Sequence, residues 1–213
     1  MREVNKNKFR HNPDGVTTTI IIESKVYGTK EVLIDTEDYD KVSGHRWHLS
    51  DQHYVHAKIP HPDGGWYVRP DNGQRERRKT ALKLHRLIMD APKGKDVDHI
   101  EHDTLDNRKC KLRLCSHQEN SFNSARNKNN TSGFKGVAYH KKRKDMINER
   151  KKPWRAKIHP SGKTINIGYY KTKEEAAEAY DRKAIELWGK PVCPEVSLNF
   201  PEKLEQYLGE EAH

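Results

Sequence analysis

Long apolar runs are missing from this sequence, and hydrophobic residues make up only 32% of it. No stretch approaches the roughly 20 residues that a membrane-spanning helix needs. The N-terminus also lacks the basic start, apolar run and small-residue cleavage site of a secretory signal. We therefore expect a soluble, cytoplasmic protein without a membrane partner, built from several small modules rather than around one large core.

Cysteine is scarce as well. The three cysteines, Cys110, Cys115 and Cys193, are an odd number and form no paired CxxC spacing. This pattern argues against a disulfide framework and against a structural zinc knuckle, and reduced thiols fit the cytoplasm. We interpret Cys110 and Cys115 as ordinary packing thiols.

Acidic charge is in the minority. The chain has 31 Asp and Glu residues against 41 Lys and Arg residues, a formal net charge of +10. This excess of positive charge favours a polyanionic partner, and nucleic acid is the first candidate. Charge alone does not decide the question, because a basic protein can simply be a soluble one.

The first part of the chain, residues 1–82, predicts a small β-rich domain. β-Branched runs at residues 17–22 and 31–34 are followed by the turn residues Gly28 and Asp35. Short strands joined by polar turns are therefore expected throughout this domain.

Residues 83–125 have a different texture and predict the order strand, loop, strand, helix. Strands are expected at residues 96–100 and 111–114, on either side of a polar turn. Ser116 and Glu119 form the S-x-x-E pattern of a capping box, which starts a helix.

A third module follows an exposed linker at residues 126–131, which is rich in Asn and Lys. Three antiparallel strands and one helix are predicted for residues 132–201, and residues 202–213 are a tail. The strands are placed at residues 134–139, 154–158 and 164–170. A second capping box, from Thr172 to Glu175, starts the helix, and Gly189 with Pro191 ends it. The whole chain is thus predicted to be an α+β protein.

Chemistry concentrates in the second module. Phosphodiester hydrolysis needs an activated water, neutralisation of the charge that develops at phosphorus, and stabilisation of the leaving oxygen. Asp98 offers a carboxylate, His99 an imidazole that is neutral near physiological pH, and Asn120 an amide oxygen. Oxygen ligands of these types suit Mg²⁺, or Mn²⁺, better than zinc. We therefore assign His99 as general base, and Asp98 and Asn120 as metal ligands.

Two geometric points qualify this site. Asp98 and His99 are neighbours, and neighbours on a regular strand point to opposite faces, so the strand must end or bend there. Asn123 lies three residues after Asn120 on the same helix face, so it either extends the metal site or contacts a phosphate. An isolated Asp-His pair is more often a surface loop, but Asn107 and Asn120 following in order favour the site.

This order of motifs strongly resembles the HNH endonuclease family, in particular its homing-type members from phages and introns. The resemblance covers residues 32–123. The matching motifs are Leu84-His85-Arg86, Val97-Asp98-His99-Ile100, Asp106-Asn107-Arg108, Leu112-Arg113 and Glu119-Asn120.

The resemblance implies a ββα-metal fold for the second module. In it, Asp98 and Asn120 match the metal ligands, His99 matches the general base, and Asn107 matches the residue that braces the hairpin loop. His85 is expected on a strand that supports the hairpin, outside the ligand set. His102 departs from the small residue usual after the Asp-His pair, and we expect it to be solvent-exposed. If the chain is phage-encoded, its place is the host cytoplasm.

Basic residues alternate with apolar or aromatic ones along the strands of the third module. One face of such a sheet can pack on the helix while the other presents cations to DNA, as β-sheet readers do. The residues expected on the DNA side are Lys135, Arg155, Lys157 and Lys163, and Trp154 fits either face. The basic run at residues 141–144 is either a solvated loop or a contact to the DNA backbone.

The third module also resembles the apetala/ethylene-response-factor type of DNA-binding domain, over residues 131–201. The matching motifs include Ser132-Gly133-Phe134-Lys135-Gly136-Val137, Trp154-Arg155-Ala156-Lys157-Ile158, Ile167-Gly168-Tyr169-Tyr170 and Leu198-Asn199-Phe200-Pro201. The resemblance implies a three-stranded sheet that reads DNA through Lys135, Arg155 and Lys157, with Trp154 stacked on a sugar or base. An insert at residues 144–152 lengthens the first turn beyond the family pattern.

Together the two resemblances predict a metal-dependent endonuclease whose C-terminal sheet positions the cut on double-stranded DNA, with no small-molecule substrate. One HNH site cuts one strand, so a monomer is expected to nick duplex DNA. A homing role follows only from the family resemblance. Two rivals stay open: a DNA-binding regulator with an inactive HNH remnant, and a protein that binds or cuts RNA.

Overall fold

The computed structural model describes residues 7–124, 129–140 and 151–210. The chain divides into two compact units, residues 1–114 and residues 115–213. Several small antiparallel sheets and a few helices make up these units, which confirms the predicted α+β class. Within the described ranges, no helix combines the length and the apolar character that a membrane crossing requires.

The first unit begins with a three-stranded antiparallel sheet. Its strands are β1 (Lys8–His11), β2 (Thr17–Ser24) and β3 (Gly28–Asp35). Strands β2 and β3 pair along their full length, from Thr17 opposite Asp35 to Ser24 opposite Gly28. Both strands include the β-branched runs from which strands were predicted.

A second antiparallel sheet is ordered β4-β5-β8 and carries a long hairpin between its last two strands. The hairpin strands, β6 and β7, pair only with each other. Two short helices, α1 and α2, lie before and after the sheet in sequence. The bounds are α1 (Tyr39–Ser43), β4 (Trp47–Leu49), β5 (Val55–Pro60), β6 (Trp66–Val68), β7 (Arg75–Arg77), β8 (Lys79–Lys83) and α2 (Leu84–Ile88).

The segment around His85 is helical, so the strand expected there is wrong. Leu84 and Ile88 lie four residues apart and are both buried, with relative exposures of 0% and 1%. That spacing puts them on one face of a helix, against the core of the first unit.

A two-stranded sheet of β9 (Asp96–His99) and β10 (Leu112–Cys115) completes the first unit. The loop between these strands is tied to the edge of β3, where the Leu33 amide donates to Leu105 O at 2.9 Å and Asn107 N donates to Leu33 O at 2.8 Å. Val97 and Leu112 belong to the same buried cluster as Ile20 and Trp47. The β9-β10 hairpin therefore shares one hydrophobic core with the N-terminal sheets.

In the second unit, the predicted sheet and helix are both present. Strands β11 (Val137–Tyr139), β12 (Trp154–Ile158) and β13 (Ile165–Tyr170) are antiparallel, and β12 is central. Helix α4 (Lys173–Trp188) packs on this sheet and ends at Gly189, which has a φ of 73°. Shorter helices are α3 (His117–Phe122), α5 (Pro194–Ser197) and α6 (Leu204–Glu210).

Helix α3 starts with the predicted capping box. The Ser116 hydroxyl accepts from Glu119 N at 3.2 Å, and the Glu119 carboxylate accepts from Ser116 N at 2.7 Å. These bonds satisfy two backbone donors that a helix start otherwise leaves open.

The C-terminal segment contributes to the core of the second unit. Leu204 and Tyr207, with relative exposures of 7% and 2%, belong to a buried cluster with Ile158 and Ile185. Residues 202–213 were predicted to be a tail, but Leu204 and Tyr207 pack against the sheet and the helix of this unit. The predicted linker at residues 126–131 falls partly outside the described residues, and so do the basic run at 141–144 and most of the insert at 144–152.

Candidate active site

His99 is the last residue of β9 and is almost fully buried, with a relative exposure of 4%. Its Nε2 lies 3.3 Å from the side-chain oxygen of Asn107. The rings of His85 and Tyr54 lie beside it, with centroid distances of 5.2 and 5.9 Å. The imidazole is therefore held in a pocket of aromatic rings with one polar partner at a defined nitrogen.

Asn107 is held on both sides. The residue is fully buried, and its Nδ2 donates to Thr104 O at 3.1 Å. Because the amide nitrogen donates to that carbonyl, the amide oxygen faces His99 and can only accept a hydrogen bond from it. The Nε2 of neutral His99 therefore carries the hydrogen, and Nδ1 is the basic nitrogen.

Burial lowers the pKa of His99 below its usual value, although the Asn107 hydrogen bond and the Asp98 charge oppose that effect. The imidazole is consequently neutral at neutral pH, as a general base must be.

Asp98 precedes His99 and is also buried, with a relative exposure of 8%. Its Oδ2 accepts from Arg113 Nε at 3.0 Å and from Arg113 Nη2 at 2.8 Å, across the β9-β10 pair. Asp98 thus faces the neighbouring strand while His99 faces the loop. Strand β9 ends at His99. The end of the strand relaxes the rule that neighbouring side chains point to opposite faces, as the sequence analysis required for Asp98 and His99.

A second ion pair holds the loop that carries Asn107. The Asp106 carboxylate accepts from Arg108 Nε at 2.8 Å and from the Arg108 amide at 3.3 Å. Burial pushes the pKa of Asp106 upward, but the bonds from Arg108 outweigh it, so the net pKa is lowered. The carboxylate therefore stays charged and clamps the loop.

His85 is a neighbour of His99 that the sequence did not reveal as one. It lies on α2 with 4% exposure, and its Nδ1 is buried with no hydrogen-bond partner within the described part of the chain. Burial lowers the pKa of His85 to about 3, and His99 contributes to the same shift. The ring is therefore neutral and acts as a wall of the His99 pocket. Tyr54, the residue before β5, is likewise absent from the predicted site.

His102 is half-buried rather than solvent-exposed, so that expectation is wrong. Its φ is 65°, and its amide donates to His99 O at 3.0 Å. This left-handed turn explains why a small residue is usual at the position. Cys110 is exposed and Cys115 is buried, so only Cys115 fits the interpretation as a packing thiol.

Asn120 and Asn123 both belong to the second unit. Asn120 lies on α3 and is half-buried. Asn123 follows the helix with 2% exposure, and its side-chain oxygen accepts from Ser197 Oγ at 3.4 Å. Asn123 is therefore tied into the core of its own unit.

The donor set bears on whether a metal ion fits. Over residues 7–124, 129–140 and 151–210, no group of three or more His, Cys, Asp or Glu side chains could hold a metal. A site built from one carboxylate and amide oxygens does not form such a group. Asp98 in the first unit and Asn120 in the second each offer a hard oxygen donor of the kind that Mg²⁺ prefers. Donors of this type suit a hard divalent cation better than zinc.

The sheet of the second unit has one covered and one open face. Ala156 and Ile158 of β12 are buried on the covered face. Arg155 and Lys157 are half-buried, the Nε of Arg155 has no hydrogen-bond partner among the described residues, and the register of β12 with β13 is irregular between Ala156 and Lys157. Arg155 lies opposite Ala138 on one side and Tyr169 on the other. Lys163, in the turn before β13, is exposed.

Trp154 and Lys135 are placed differently from these cations. Trp154 packs against the covered-face cluster of Val137 and Ala156, and its ring meets that of Tyr139 at 5.2 Å. Lys135 Nζ donates to Phe122 O at 2.6 Å and to Ser197 O at 3.4 Å. Burial lowers the pKa of Lys135 to about 8. Both side chains serve the interior of the second unit.

Comparisons with known proteins identify the family of this chain. Residues 83–122 match the family model described as HNH endonuclease. Over 187 residues the chain is 30% identical to an uncharacterized HNH endonuclease of Acanthamoeba polyphaga mimivirus, which covers 82% of this chain and 83% of that protein. It is 37% identical over 76 residues to protein 3.8 of Escherichia phage T7, covering 36% of this chain and 56% of that protein. No solved structure matches. Because the relative from mimivirus matches over most of both chains, this protein belongs to the HNH endonuclease family.

Proposed function

We propose that this endonuclease nicks double-stranded DNA with His99 as general base and one divalent cation, Mg²⁺ or Mn²⁺, at the cleaved phosphate. The observation that carries the proposal is the orientation of His99. Its Nε2 is occupied by the Asn107 amide oxygen at 3.3 Å, and the buried ring is neutral. Nδ1 is therefore the nitrogen that can take a proton from an attacking water.

Asn107 acts as a positioning residue in this mechanism. By accepting the hydrogen of Nε2, its amide keeps His99 in one tautomer and one ring orientation. The Asp106-Arg108 pair and the bonds to Leu33 hold the loop that presents the amide. The base is thus oriented before DNA binds, which lowers the entropy cost of reaching the reactive geometry.

The ligands assigned to the cation are Asp98 and Asn120, from their order in the HNH pattern, and Asn123 is a weaker candidate because Ser197 already bonds to it. A bound divalent cation supplies charge neutralisation at phosphorus and stabilises the leaving oxygen. Arg113 holds Asp98 by two bonds to Oδ2 and so fixes the direction of the carboxylate.

DNA positioning is assigned to the open face of the β11-β13 sheet. Arg155, Lys157 and Lys163 supply the cations, and Tyr169 lies opposite Arg155 in the register. Trp154 and Lys135 are left out of this surface because their polar or aromatic groups serve the interior. The resemblance of the module to the apetala/ethylene-response-factor type supports a DNA-reading sheet. A homing role in a phage or other mobile element is the matching biological proposal.

The test is nicking of supercoiled plasmid by purified protein with Mg²⁺ or Mn²⁺. Wild type should convert the plasmid to open circles, whereas His99→Ala and wild type in EDTA should not. His45→Ala is the matched control, because His45 lies outside the site and contacts Trp47.

The outcomes separate the proposal from its rivals. Undiminished cleavage by His99→Ala would sink the mechanism. Tight DNA binding by a wild-type protein that cuts no tested substrate would instead support the regulator with an inactive nuclease. Preferential cleavage of structured RNA over duplex DNA would transfer the activity to RNA.

A further inference from the structure

A basic hairpin in the first unit has no part in the site or in the C-terminal sheet. It consists of β6, β7 and their connecting turn, residues 66–77, and we call it the Trp66 hairpin. Every residue of it except Glu76 is exposed. Trp66, Tyr67 and Val68 have relative exposures of 53%, 45% and 60%. A two-stranded hairpin with no buried face is marginal in water, so these apolar side chains are not explained by folding.

The two faces of the hairpin differ in charge. Directly paired residues share a face, so Trp66 with Arg77 and Val68 with Arg75 form one face. On that face the guanidinium carbons of Arg75 and Arg77 lie 5.8 and 5.4 Å from the Trp66 ring centroid. Nothing acidic lies among these four residues. The result is an aromatic side chain flanked by two cations.

The acidic residues of the hairpin lie away from this face and are already paired with other side chains. Glu76 accepts from Tyr67 Oη at 3.0 Å and from Lys79 Nζ at 2.9 Å. Asp71 pairs with Arg69 at 3.0 Å. Within the ranges that the structure describes, Arg75 and Arg77 form no ion pair with any acidic side chain. Their charges are therefore available to an external anion.

The positive charge continues from the hairpin onto the neighbouring sheet. A cleft of about 580 Å³ lies beside the hairpin, and Glu76 is the one carboxylate that lines it. The cations that line the cleft are Lys58, Arg69, Arg77, Arg78 and Lys79. The pKa of His48, at the far side of the same sheet face, is lowered by burial and then by the charges of Arg46, His56 and Lys58. Local charge over residues 58–83 amounts to seven Lys and Arg against three Asp and Glu.

We infer that the Trp66 face of the hairpin binds the duplex that the enzyme cuts, with Arg75 and Arg77 on phosphates and Trp66 against a sugar or base, an inference that rests on the proposed cleavage of duplex DNA. Duplex DNA is the occupant because the unpaired arginines match its phosphates and because duplex DNA is the proposed substrate. A two-stranded ribbon also fits the width of the major groove.

The position of the hairpin relative to His99 predicts where on the DNA it binds. Strand β5 starts next to Tyr54, whose ring is 5.9 Å from that of His99, and ends at Pro60, shortly before the hairpin. Six extended residues span roughly 20 Å, the length of about six base pairs. The hairpin therefore binds the flank of the cleavage site, within the same unit as the base and independently of the C-terminal sheet.

The test is a binding titration of the full chain in EDTA, with fluorescein-labelled mixed-sequence duplex DNA at several KCl concentrations. The variant is Arg75→Gln with Arg77→Gln. The matched control is Lys8→Gln with Lys25→Gln, because these lysines are also exposed and lie on β1 and in the turn between β2 and β3. The hairpin variant should reduce the slope of log affinity against log salt by roughly two, and the control should leave it unchanged.

The binding affinity of Trp66 variants gives a second measurement, which does not depend on charge. Trp66→Ala should weaken binding about fivefold with an unchanged salt slope, because it removes an apolar contact with a sugar or base and no charge. Trp66→Phe should keep most of the wild-type binding affinity. Thermal unfolding of each variant should match wild type, since the replaced side chains are exposed.

Three results would overturn the inference. The first is a salt slope that the hairpin and control variants lower equally, which would mean a general effect of net charge. The second is wild-type affinity in Trp66→Ala. The third is displacement of the duplex by structured RNA from wild type but not from the hairpin variants, which would assign the surface to RNA. Because the titration requires no cleavage, it can fail while His99 still proves to be the base, and it can succeed when His99→Ala still cuts.

Discussion

The side-chain oxygen of Asn107 lies 3.3 Å from Nε2 of His99, while the nitrogen of the same amide donates to Thr104 O at 3.1 Å. This pair of contacts orders both the amide and the imidazole. It leaves Nδ1 as the one basic nitrogen of a buried, neutral ring.

Asn107→Asp should move the acid limb of the cleavage profile to higher pH. A carboxylate next to Nε2 stabilises the imidazolium and raises the pKa of His99, so the base is protonated over a wider pH range. Asn107→Ala, which also loses the bond to Thr104, should lower cleavage by roughly 10–100-fold without that shift. Nicking rates from pH 5 to 9 at saturating Mg²⁺, on the scale where free histidine titrates near 6.5, would measure both effects. Identical profiles for the two variants would argue against the assigned tautomer.

Arg113→Met should destabilise the first unit, because it removes the guanidinium that bonds twice to the buried Asp98 carboxylate. Loss of one partner from a largely buried pair costs about 3 kcal/mol. Mg²⁺ should restore part of that stability if Asp98 is a ligand, since the cation then replaces the lost charge. Urea unfolding with and without Mg²⁺ is the measurement, and Arg113→Lys is the control. Equal instability in both conditions would remove Asp98 from the metal site.

Gly136→Ala should unfold or severely weaken the second unit. A Cβ at this position would lie 2.0 Å from Cδ2 of the Tyr180 ring and 2.8 Å from Lys157 O, and φ is 73°. Overpacking together with a left-handed backbone costs about 3 kcal/mol or more. Gly133→Ala is the matched control, because its φ is 82° but nothing lies within 4 Å of the added atom. Denaturant midpoints should therefore separate the two variants, and equal midpoints would contradict the close approach.

The buried Asp181 should make the second unit less stable as pH rises from about 4 to about 6. Burial raises the pKa of its carboxyl to about 6, although bonds from Asn199 and Phe200 oppose the shift. The folded state thus holds its proton more tightly than the unfolded chain, and the stabilisation present below pH 4 is lost through pH 6. The contribution is up to about 3 kcal/mol. Comparing unfolding of wild type and Asp181→Asn across this range isolates it, because the amide does not titrate. A constant difference between the two proteins would contradict the prediction.

Arg155→Gln and Lys157→Gln should each reduce the salt slope of duplex binding by roughly one. Lys135→Gln should leave the slope unchanged and lower the melting temperature instead, because Lys135 bonds to Phe122 O and Ser197 O inside the unit. Binding titrations and thermal unfolding of the three variants distinguish the two roles. A slope change in Lys135→Gln would return that lysine to the DNA surface.

Local sequence patterns predicted the regular elements well where one pattern dominated. The β-branched runs became β2 and β3, and Ser116 with Glu119 formed the expected capping box. The strand expected around His85 beside the family resemblance was wrong, because this segment forms the helix α2. Packing of Leu84 and Ile88 on the core selected the helix.

Side-chain direction was harder to predict than secondary structure. Alternation along β12 predicts Arg155 and Lys157 on the face opposite Ala156, and this stays a prediction because the register is irregular between Ala156 and Lys157. Trp154, for which the sequence left both faces open, packs with Val137 and Ala156. Lys135 precedes its strand, in a turn where alternation does not apply, and its chain length lets the ammonium reach carbonyls of Phe122 and Ser197. The sequence alone does not distinguish a lysine that contacts DNA from one whose ammonium bonds to carbonyls inside the unit.

The sequence by itself determined the family of this protein, because family motifs are specific residue types in a specific order along the chain. The same order assigned Asp98, His99, Asn107 and Asn120 to the proposed site. Only the tertiary structure decided which nitrogen of His99 is basic, that His85 and Tyr54 wall its pocket, and that Arg75 and Arg77 flank Trp66 without acidic partners. Those relationships join residues from different strands and helices, and a shared core and a strand register bring them together. The physical reason is that the sequence fixes the chemical groups and their order along the chain, whereas packing decides which of these groups come into contact.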